Sequence, residues 1–352
     1  LGAALGMLPL RFPVRIAVGV LSIALLWAGG FALFSFTGIS LVLISPTIAG
    51  GLSQWGADMM TGRQARRQRE YVQSVFGRFV APQVVKKLVS EPGQLNLEGE
   101  AREMSFLFTD IEGFTTLSEE LAKQDDKHVL AHLLNAYLDG VCAAILAHEG
   151  TIDKFIGDAV MAIFNAPADQ PDHAERAVQC ALAIDRFSQA FRAEQLAQHG
   201  IRLGVTRVGV HSGSAVVGNF GSHSKLQYTA LGDAVNTASR LEGVNKYFGT
   251  RICVSDTTRA QVRDLVFRPI HVIVPKGKEE PLGIFEPLSE ERANSPYMMK
   301  YLEAYELAEQ HDPRALQLFD ELHAVEPGDK CVEIHLERLR DSAFGPMVMH
   351  DK

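Results

Sequence analysis

Two short stretches, Phe106-Leu107-Phe108-Thr109-Asp110 and Lys154-Phe155-Ile156-Gly157-Asp158, constrain this chain more than any other feature. Each runs as an apolar strand straight into an aspartate, and the two aspartates stand about forty-eight residues apart. A strand-end aspartate alone most often caps a turn. The second one lies in a strand-Gly-Asp-strand hairpin, and this changes the reading: Asp110 and Asp158 can converge on one pair of divalent cations. Two carboxylates holding two hard cations suit in-line chemistry at phosphorus, where the attacking oxygen needs activation and the phosphates need neutralising.

The 352 residues suffice for one sizeable domain and smaller pieces. A net charge of −8 gives no global basic surface, so nucleic acid is not an expected partner. Cys142, Cys180, Cys253 and Cys331 are far apart and show no C-x-x-C spacing. They read as buried thiols, neither a disulfide framework nor a zinc site.

Apolar residues are spread unevenly. No Asp, Glu, Lys or Arg occurs from Ile16 to Gly56, and two membrane spans fit there, Val14–Phe36 and Gly38–Met59. Leu1–Leu10 reads as the end of an earlier span, and the opening Leu1 implies a natural start further upstream. Arg11 and Arg15 precede the first full span, and Arg63, Arg66, Arg67 and Arg69 follow the second. Both sets fall on the cytoplasmic side by the positive-inside rule. The expected location is the cell inner (plasma) membrane, multi-pass, with the rest of the chain cytoplasmic. Four segments follow: spans over 1–61, a linker with an amphipathic helix over 62–100, a central domain over 101–290 and a helical tail over 291–352.

In the linker, Tyr71, Val72, Val75, Phe76, Phe79 and Val80 fall at helical spacing and suit pairing with a second copy. The central domain alternates strands and helices: Met104–Thr109, Val129–Ala147, a hairpin over Thr151–Phe164, Ala174–Ala193, Leu203–Val210, Ala215–Phe220, Leu231–Tyr247, Ile252–Val254 and His271–Val274. That order fits an α+β fold with a ferredoxin-like β-α-β-β-α-β core. Tyr301, Tyr305, Leu316, Phe319 and Leu322 make the tail helical, and Pro327-Gly328-Asp329 gives it a single tetratricopeptide-like turn; a packing or capping appendage is the expected role.

Five segments together resemble class III nucleotide cyclases: the run around Asp110, Gly150-Thr151-Ile152-Asp153-Lys154-Phe155-Ile156-Gly157-Asp158, Gly209-Val210-His211-Ser212-Gly213, Leu231-Gly232-Asp233-Ala234-Val235-Asn236-Thr237-Ala238-Ser239-Arg240, and Pro275-Lys276-Gly277-Lys278. The likeness spans the whole central domain in order. Phe76-Gly77-Arg78-Phe79-Val80-Ala81-Pro82 resembles the lead-in of bacterial members, and the spans resemble those that follow a CHASE2 sensor.

The resemblance implies a homodimer whose two head-to-tail catalytic domains share both active sites, with ATP as substrate. Asp110 and Asp158 resemble the carboxylates holding two Mg²⁺ or Mn²⁺ ions, with the Ile111 carbonyl as a further ligand. Gly113, Phe114 and Thr115 resemble substrate-binding positions beside them. Lys154 and Thr229 resemble the pair that reads adenine, Lys154 donating to N1 and Thr229 meeting the exocyclic amine. Threonine in place of the aspartate of animal-type enzymes marks a threonine-type subgroup. Asn236 and Arg240 resemble the residues that orient the ribose and stabilise charge on the phosphates, Lys276 the one that binds the terminal phosphates, and Arg251 an assisting cation.

Each residue alone admits a plainer role. Arg240 could pair with Glu242 or a surface acid, Asn236 could cap a turn, and Lys276 could be a solvated hairpin charge. Asp233 suits a helix start. Gly209, Gly213, Gly218 and Gly221 lack a following G-K-[ST] and read as strand-turn glycines. A guanylate cyclase and a catalytically silent nucleotide-binding module remain the alternatives.

Overall fold

The computed structural model describes residues 12–37, 47–48, 99–123, 127–222, 225–275 and 277–349. The expected span Gly38–Met59, the helix expected in the linker and Lys276 lie outside them. The chain divides into two compact units, Leu1–Val80 and Ala81–Lys352.

In the first unit, Phe12–Thr37 forms helix α1. Its 26 residues extend about 39 Å at 1.5 Å per residue, longer than a bilayer's hydrocarbon core of about 30 Å. The stretch Val20–Thr37 has a mean hydropathy of 1.9, and none of it is buried. The hydroxyls of Ser22, Ser35 and Thr37 donate to the carbonyls of Val18, Phe31 and Leu33, four residues back. These three hydroxyls are thereby satisfied by the helix itself, as an apolar solvent demands. The helix is long and apolar enough to cross a membrane.

The second unit begins with β1 (Glu100–Ile111), α2 (Phe114–Lys123), α3 (Lys127–Ala147), β2 (Thr151–Ile156) and β3 (Ala159–Phe164). There follow α4 (His173–His199), β4 (Thr206–Ser222), β5 (Lys225–Leu231), α5 (Asp233–Phe248) and β6 (Ile252–Ser255). The sheet runs β2-β3-β1-β4 through its first half, with antiparallel pairing at every step. This is the ferredoxin-like order, and the α+β expectation agrees with it. Helix α3 also has the length and hydropathy of a membrane span. Its apolar face is used otherwise: Leu133, Tyr137, Val141 and Ile145 are buried with Ala177, Ile184 and Phe191 of α4.

Strand alternation divides β1 between two cores. Leu107 and Ile111 face α3 and α4, whereas Phe106 and Phe108 pack with Met161, Ile163, Ala234 and Ala238 on the side of α5. Gly209 decides how close α5 comes. A β-carbon there would lie 2.2 Å from the Glu242 amide nitrogen and 2.4 Å from the Ala238 carbonyl oxygen. It is therefore a mid-strand contact glycine and not a turn residue. The two strands expected over Leu203–Val210 and Ala215–Phe220 are one continuous strand, β4, because Gly213 keeps extended pairing with Met104.

The unit closes with β7 (Phe267–Val274), β8 (Leu282–Pro287), α6 (Pro296–Glu309), α7 (Arg314–Val325), α8 (Lys330–Arg340) and β9 (Met347–Val348). The tail is part of the molecule's packing. Tyr301, Tyr305, Phe319 and Leu336 are buried with Leu241, Phe248, Ile270 and Ile284, and β9 pairs with β7. Asp329 caps α8 through the Cys331 amide and accepts the buried Arg268 guanidinium at 2.5 Å. Three cysteines are buried free thiols, while Cys142 is half-buried.

Beneath the tail, His335 and His271 lie with ring centres 5.6 Å apart. Burial, with Arg338 beside it, pushes His271 down to about 4; burial and the His271, Arg268 and Arg338 charges hold His335 well below its ordinary value. Both resist a proton that the unfolded chain accepts near pH 6.5. The stability they confer is complete above that pH and is lost as pH falls toward 4, at roughly 1.4 kcal/mol per pH unit for each. Thermal midpoints should therefore fall from pH 7 to pH 5. The fall should be shallower in His271→Gln, whose amide can still donate to the Gly345 carbonyl as the imidazole does at 3.1 Å. Midpoints independent of pH over this range would contradict the neutral buried pair.

Candidate active site

Strand β1 delivers Asp110 at its C-terminal end, and the β2–β3 hairpin delivers Asp158 beside it. The turn between those strands has only Gly157 and Asp158, and Gly157 takes φ +67°, a conformation glycine adopts without strain. The Ile111 amide donates to Asp158 Oδ2 at 3.0 Å, so the strand end itself holds the second carboxylate in place. Burial pushes Asp158 up, the Ile111 hydrogen bond pulls it back, and the nearby Asp110 charge raises it again. Two crowded carboxylates beside a strand-end carbonyl make a donor set of hard oxygens, which fits Mg²⁺ or Mn²⁺ completed by substrate phosphates. Among the described residues no cluster of three or more His, Cys, Asp or Glu side chains supplies an all-protein cage.

Just beyond Asp110, Gly113 at φ +67° turns the chain into α2, which opens at Phe114 and Thr115. The first N–H groups of a helix lack intrahelical partners and favour an anion, so these positions suit phosphate oxygens.

Arg207 of β4 donates to Asp110 Oδ2 at 2.6 Å, and its Nε lies 2.9 Å from Glu242 Oε1 on α5. It ties the end of β1 to that helix. Sequence reading passed over it; the available signal was a cation inside an otherwise apolar strand.

Lys154 and Thr229, far apart in sequence, meet at one carboxylate. The Thr229 hydroxyl donates to Asp153 Oδ2 at 2.7 Å, and Lys154 Nζ lies 3.5 Å from the same oxygen. Gln227 Nε2 reaches Asp153 Oδ1 at 3.4 Å. The Asp153 side chain is fully covered.

Asn236 and Arg240 are exposed along α5. Among the described residues the ion pair found at Glu242 is with Arg207. At about 100° per residue, Arg240 and Asn236 lie about 160° and about 120° around α5 from Glu242, the side that reaches toward Asp110. They lie on a different face of α5 from the Glu242 side chain that Arg207 links to Asp110. The β7–β8 hairpin runs along the same helix: a β-carbon on Gly277 would sit 3.9 Å from Arg240 Nη2, and Lys278 Nζ pairs with Asp233 Oδ2 at 2.8 Å. Asp233 is the first residue of α5, and the Lys278 contact holds its carboxyl below the usual range.

Arg251 is not brought to the others. Its guanidinium makes two bonds to Asp185 of α4, at 2.6 and 3.2 Å, in a polar cleft of about 380 Å³ shared with Arg268 and Asp329. Helix α4 covers the opposite face of the sheet from α5.

Residues 98–281, more than half of the chain, match the family described as the adenylate and guanylate cyclase catalytic domain. The chain belongs to this family. Its cyclase domain is similar to adenylate cyclase 1 of Rhizobium meliloti, 41% identical over 220 residues that cover 62% of this chain and 32% of that protein. It is also similar to an adenylate cyclase of Anabaena cylindrica, 33% identical over 222 residues, 60% of this chain and 42% of that one. The adenylyl cyclase CyaB from P. aeruginosa matches in structure with a TM-score of 0.51 and 34% identity, covering 56% of this chain and all of that one. The chain spans less than half the length of these two curated relatives.

Proposed function

We propose that this chain is the catalytic part of a membrane-anchored adenylate cyclase, which converts ATP to 3′,5′-cyclic AMP and pyrophosphate as a homodimer. The observation that carries the reading is the meeting of Lys154 and Thr229 at one covered carboxylate. It sets a donor beside a hydroxyl, which suits the N1 acceptor and exocyclic amine of adenine. Guanine presents the opposite pattern, a donor at N1 and an acceptor at O6.

The remaining roles follow from placement. Asp110, Asp158 and the Ile111 carbonyl would hold Mg²⁺ or Mn²⁺, which supplies charge neutralisation and activation of the ribose 3′-hydroxyl. Phe114 and Thr115 offer backbone N–H groups to the phosphates, with Gly113 shaping the turn. The 3′-hydroxyl attacks the α-phosphorus and pyrophosphate leaves. Asn236 orients the ribose, Arg240 presents its planar fork to the developing charge, and Lys276 takes the terminal phosphates. Asn236 and Arg240 are exposed on a different face of α5 from the Glu242 side chain tied to Asp110 through Arg207, which supports their serving the partner's site. The exposed Phe155, Ile156, Leu226 and Leu231, flanking the Asp153 contact, offer apolar surface for a second copy to cover. Helix α1 supports anchoring through 1–61, with the linker, cyclase domain and tail in the cytoplasm at the inner membrane.

The purified chain, supplied separately with ATP and GTP under Mn²⁺, should make cyclic AMP with kcat/KM at least about a hundredfold above that for cyclic GMP. Discrimination of that size is what a site built to pair with one base edge supplies. Preferential cyclic GMP synthesis would overturn the substrate assignment, and no cyclic product from either would overturn the enzymatic one.

A further inference from the structure

The base-reading pair is set in a third residue. Asp153 and Lys154 are neighbours on β2, and regular alternation would send their side chains to opposite faces of the sheet. The pairing of β2 with β3 is irregular at this point: Ile152 stands opposite Ala162 and Lys154 opposite Met161, leaving Asp153 as the extra residue of a β-bulge. Bulges re-aim side chains next to active sites. Here the bulge brings Asp153 and Lys154 to the same place, against Thr229 of β5. The Asp153 carboxyl is fully covered and meets the Thr229 hydroxyl at 2.7 Å, the Lys154 ammonium at 3.5 Å and the Gln227 amide at 3.4 Å. Burial pushes it up, and the Thr229, Lys154 and Gln227 contacts pull it back. All three neighbours are donors, so the setting accommodates an acceptor-only carboxylate.

We propose that Asp153 is a specificity-determining positioning residue: it consumes the single proton of the Thr229 hydroxyl and leaves Thr229 able only to accept from the nucleobase. A free threonine hydroxyl is ambivalent. It can accept from an amine or donate to a carbonyl by rotating its proton. Tied to Asp153, Thr229 shows lone pairs alone, which welcome the amine of adenine and repel O6 of guanine. Lys154 sets the polarity opposite N1, and Asp153, acting through Thr229, sets it opposite position 6. This inference rests on the reading of Thr229 as a base contact.

The test compares kcat/KM for ATP and GTP in the full chain under Mn²⁺, for wild type, Asp153→Ala, Asp153→Asn and Thr229→Val. Asp153→Ala should lower the ATP-to-GTP ratio about tenfold or more, because the hydroxyl regains its donor. Asp153→Asn should lower it less, since an amide carbonyl can still accept. The double variant Asp153→Ala/Thr229→Val should discriminate no less than Thr229→Val alone, because Asp153 acts through that hydroxyl. Equal losses for both nucleotides would mark a merely structural residue and overturn the proposal. An unchanged ratio in Thr229→Val would instead overturn the base-contact reading beneath it. Wild type supplies a measurement independent of folding in the variants. The triphosphate of 6-methoxypurine riboside keeps the N1 acceptor but puts an oxygen acceptor at position 6. It should be used at least about tenfold worse than the 6-unsubstituted purine riboside triphosphate, and equal use of the two would overturn the locked hydroxyl.

Discussion

Asp158→Asn is expected to abolish cyclic nucleotide synthesis while leaving the fold as stable as before, or slightly more so. Both halves follow from the same crowding. Asp158 is half-buried, held by the Ile111 amide at 3.0 Å and pushed up by burial and by Asp110. With no cation bound, its negative charge is unwelcome, and a neutral isostere relieves the repulsion. With the cation bound, that charge is what the site supplies, and two hard cations that repel each other lose an anionic ligand. A fall of at least roughly a thousandfold in kcat is expected, corresponding to about 4 kcal/mol of lost transition-state stabilisation. Asp110→Asn should be equally inactive but slightly less stable, because Arg207 keeps Glu242 and loses its 2.6 Å partner. Activity at saturating Mn²⁺ and thermal midpoints, measured on the same preparations, check both expectations. Near-normal cyclic AMP production by either variant would refute the two-carboxylate site.

The parts of the site legible in the sequence were those fixed by local chain geometry. An apolar strand ending in Asp110, a Gly157-Asp158 hairpin and the spacing of Asn236 and Arg240 on one helix each need only a few neighbouring residues to specify them. What was not legible depends on register between distant strands. Asp153 stood in plain view beside Lys154, but alternation argues that neighbours diverge, and only the bulge opposite Ala162 and Met161 reverses that. Strand β5 escaped because Lys225–Leu231 mixes polar and apolar residues on an edge pairing with β4 alone. Arg207 and Arg251 illustrate the same limit from two sides. Each is an arginine near the start of a strand, and only the packed helices determine that one holds Asp110 while the other is bound to Asp185. The tail's helices were readable from their periodicity. Their burial on Leu241, Phe248 and Ile284 was not, because apolar spacing does not name the surface it covers.

The proposed homodimer makes a prediction that no variant tested alone can address. On α5, Glu242 reaches toward Asp110 through Arg207, while Asn236 and Arg240 lie about 120° and about 160° away around the helix. If the aspartates of one subunit work with Asn236 and Arg240 of the other, every site in an Asp110→Asn homodimer lacks a metal ligand. Every site in an Arg240→Ala homodimer lacks its guanidinium. Mixing the two chains creates heterodimers in which one site carries both lesions and the other carries none. Random pairing makes about half of the dimers mixed, and each mixed dimer has one working site of two. Activity should therefore recover to roughly a quarter of wild type, given independent sites in a symmetric dimer. Arg240 is suited to this test because its exposed side chain contributes no buried packing to its own subunit, so Arg240→Ala should fold normally. A site built within one chain gives no rescue, since every site in the mixture would still carry one lesion. Absence of recovery, with subunit exchange demonstrated by differently tagged chains, would therefore place Asn236 and Arg240 with their own aspartates.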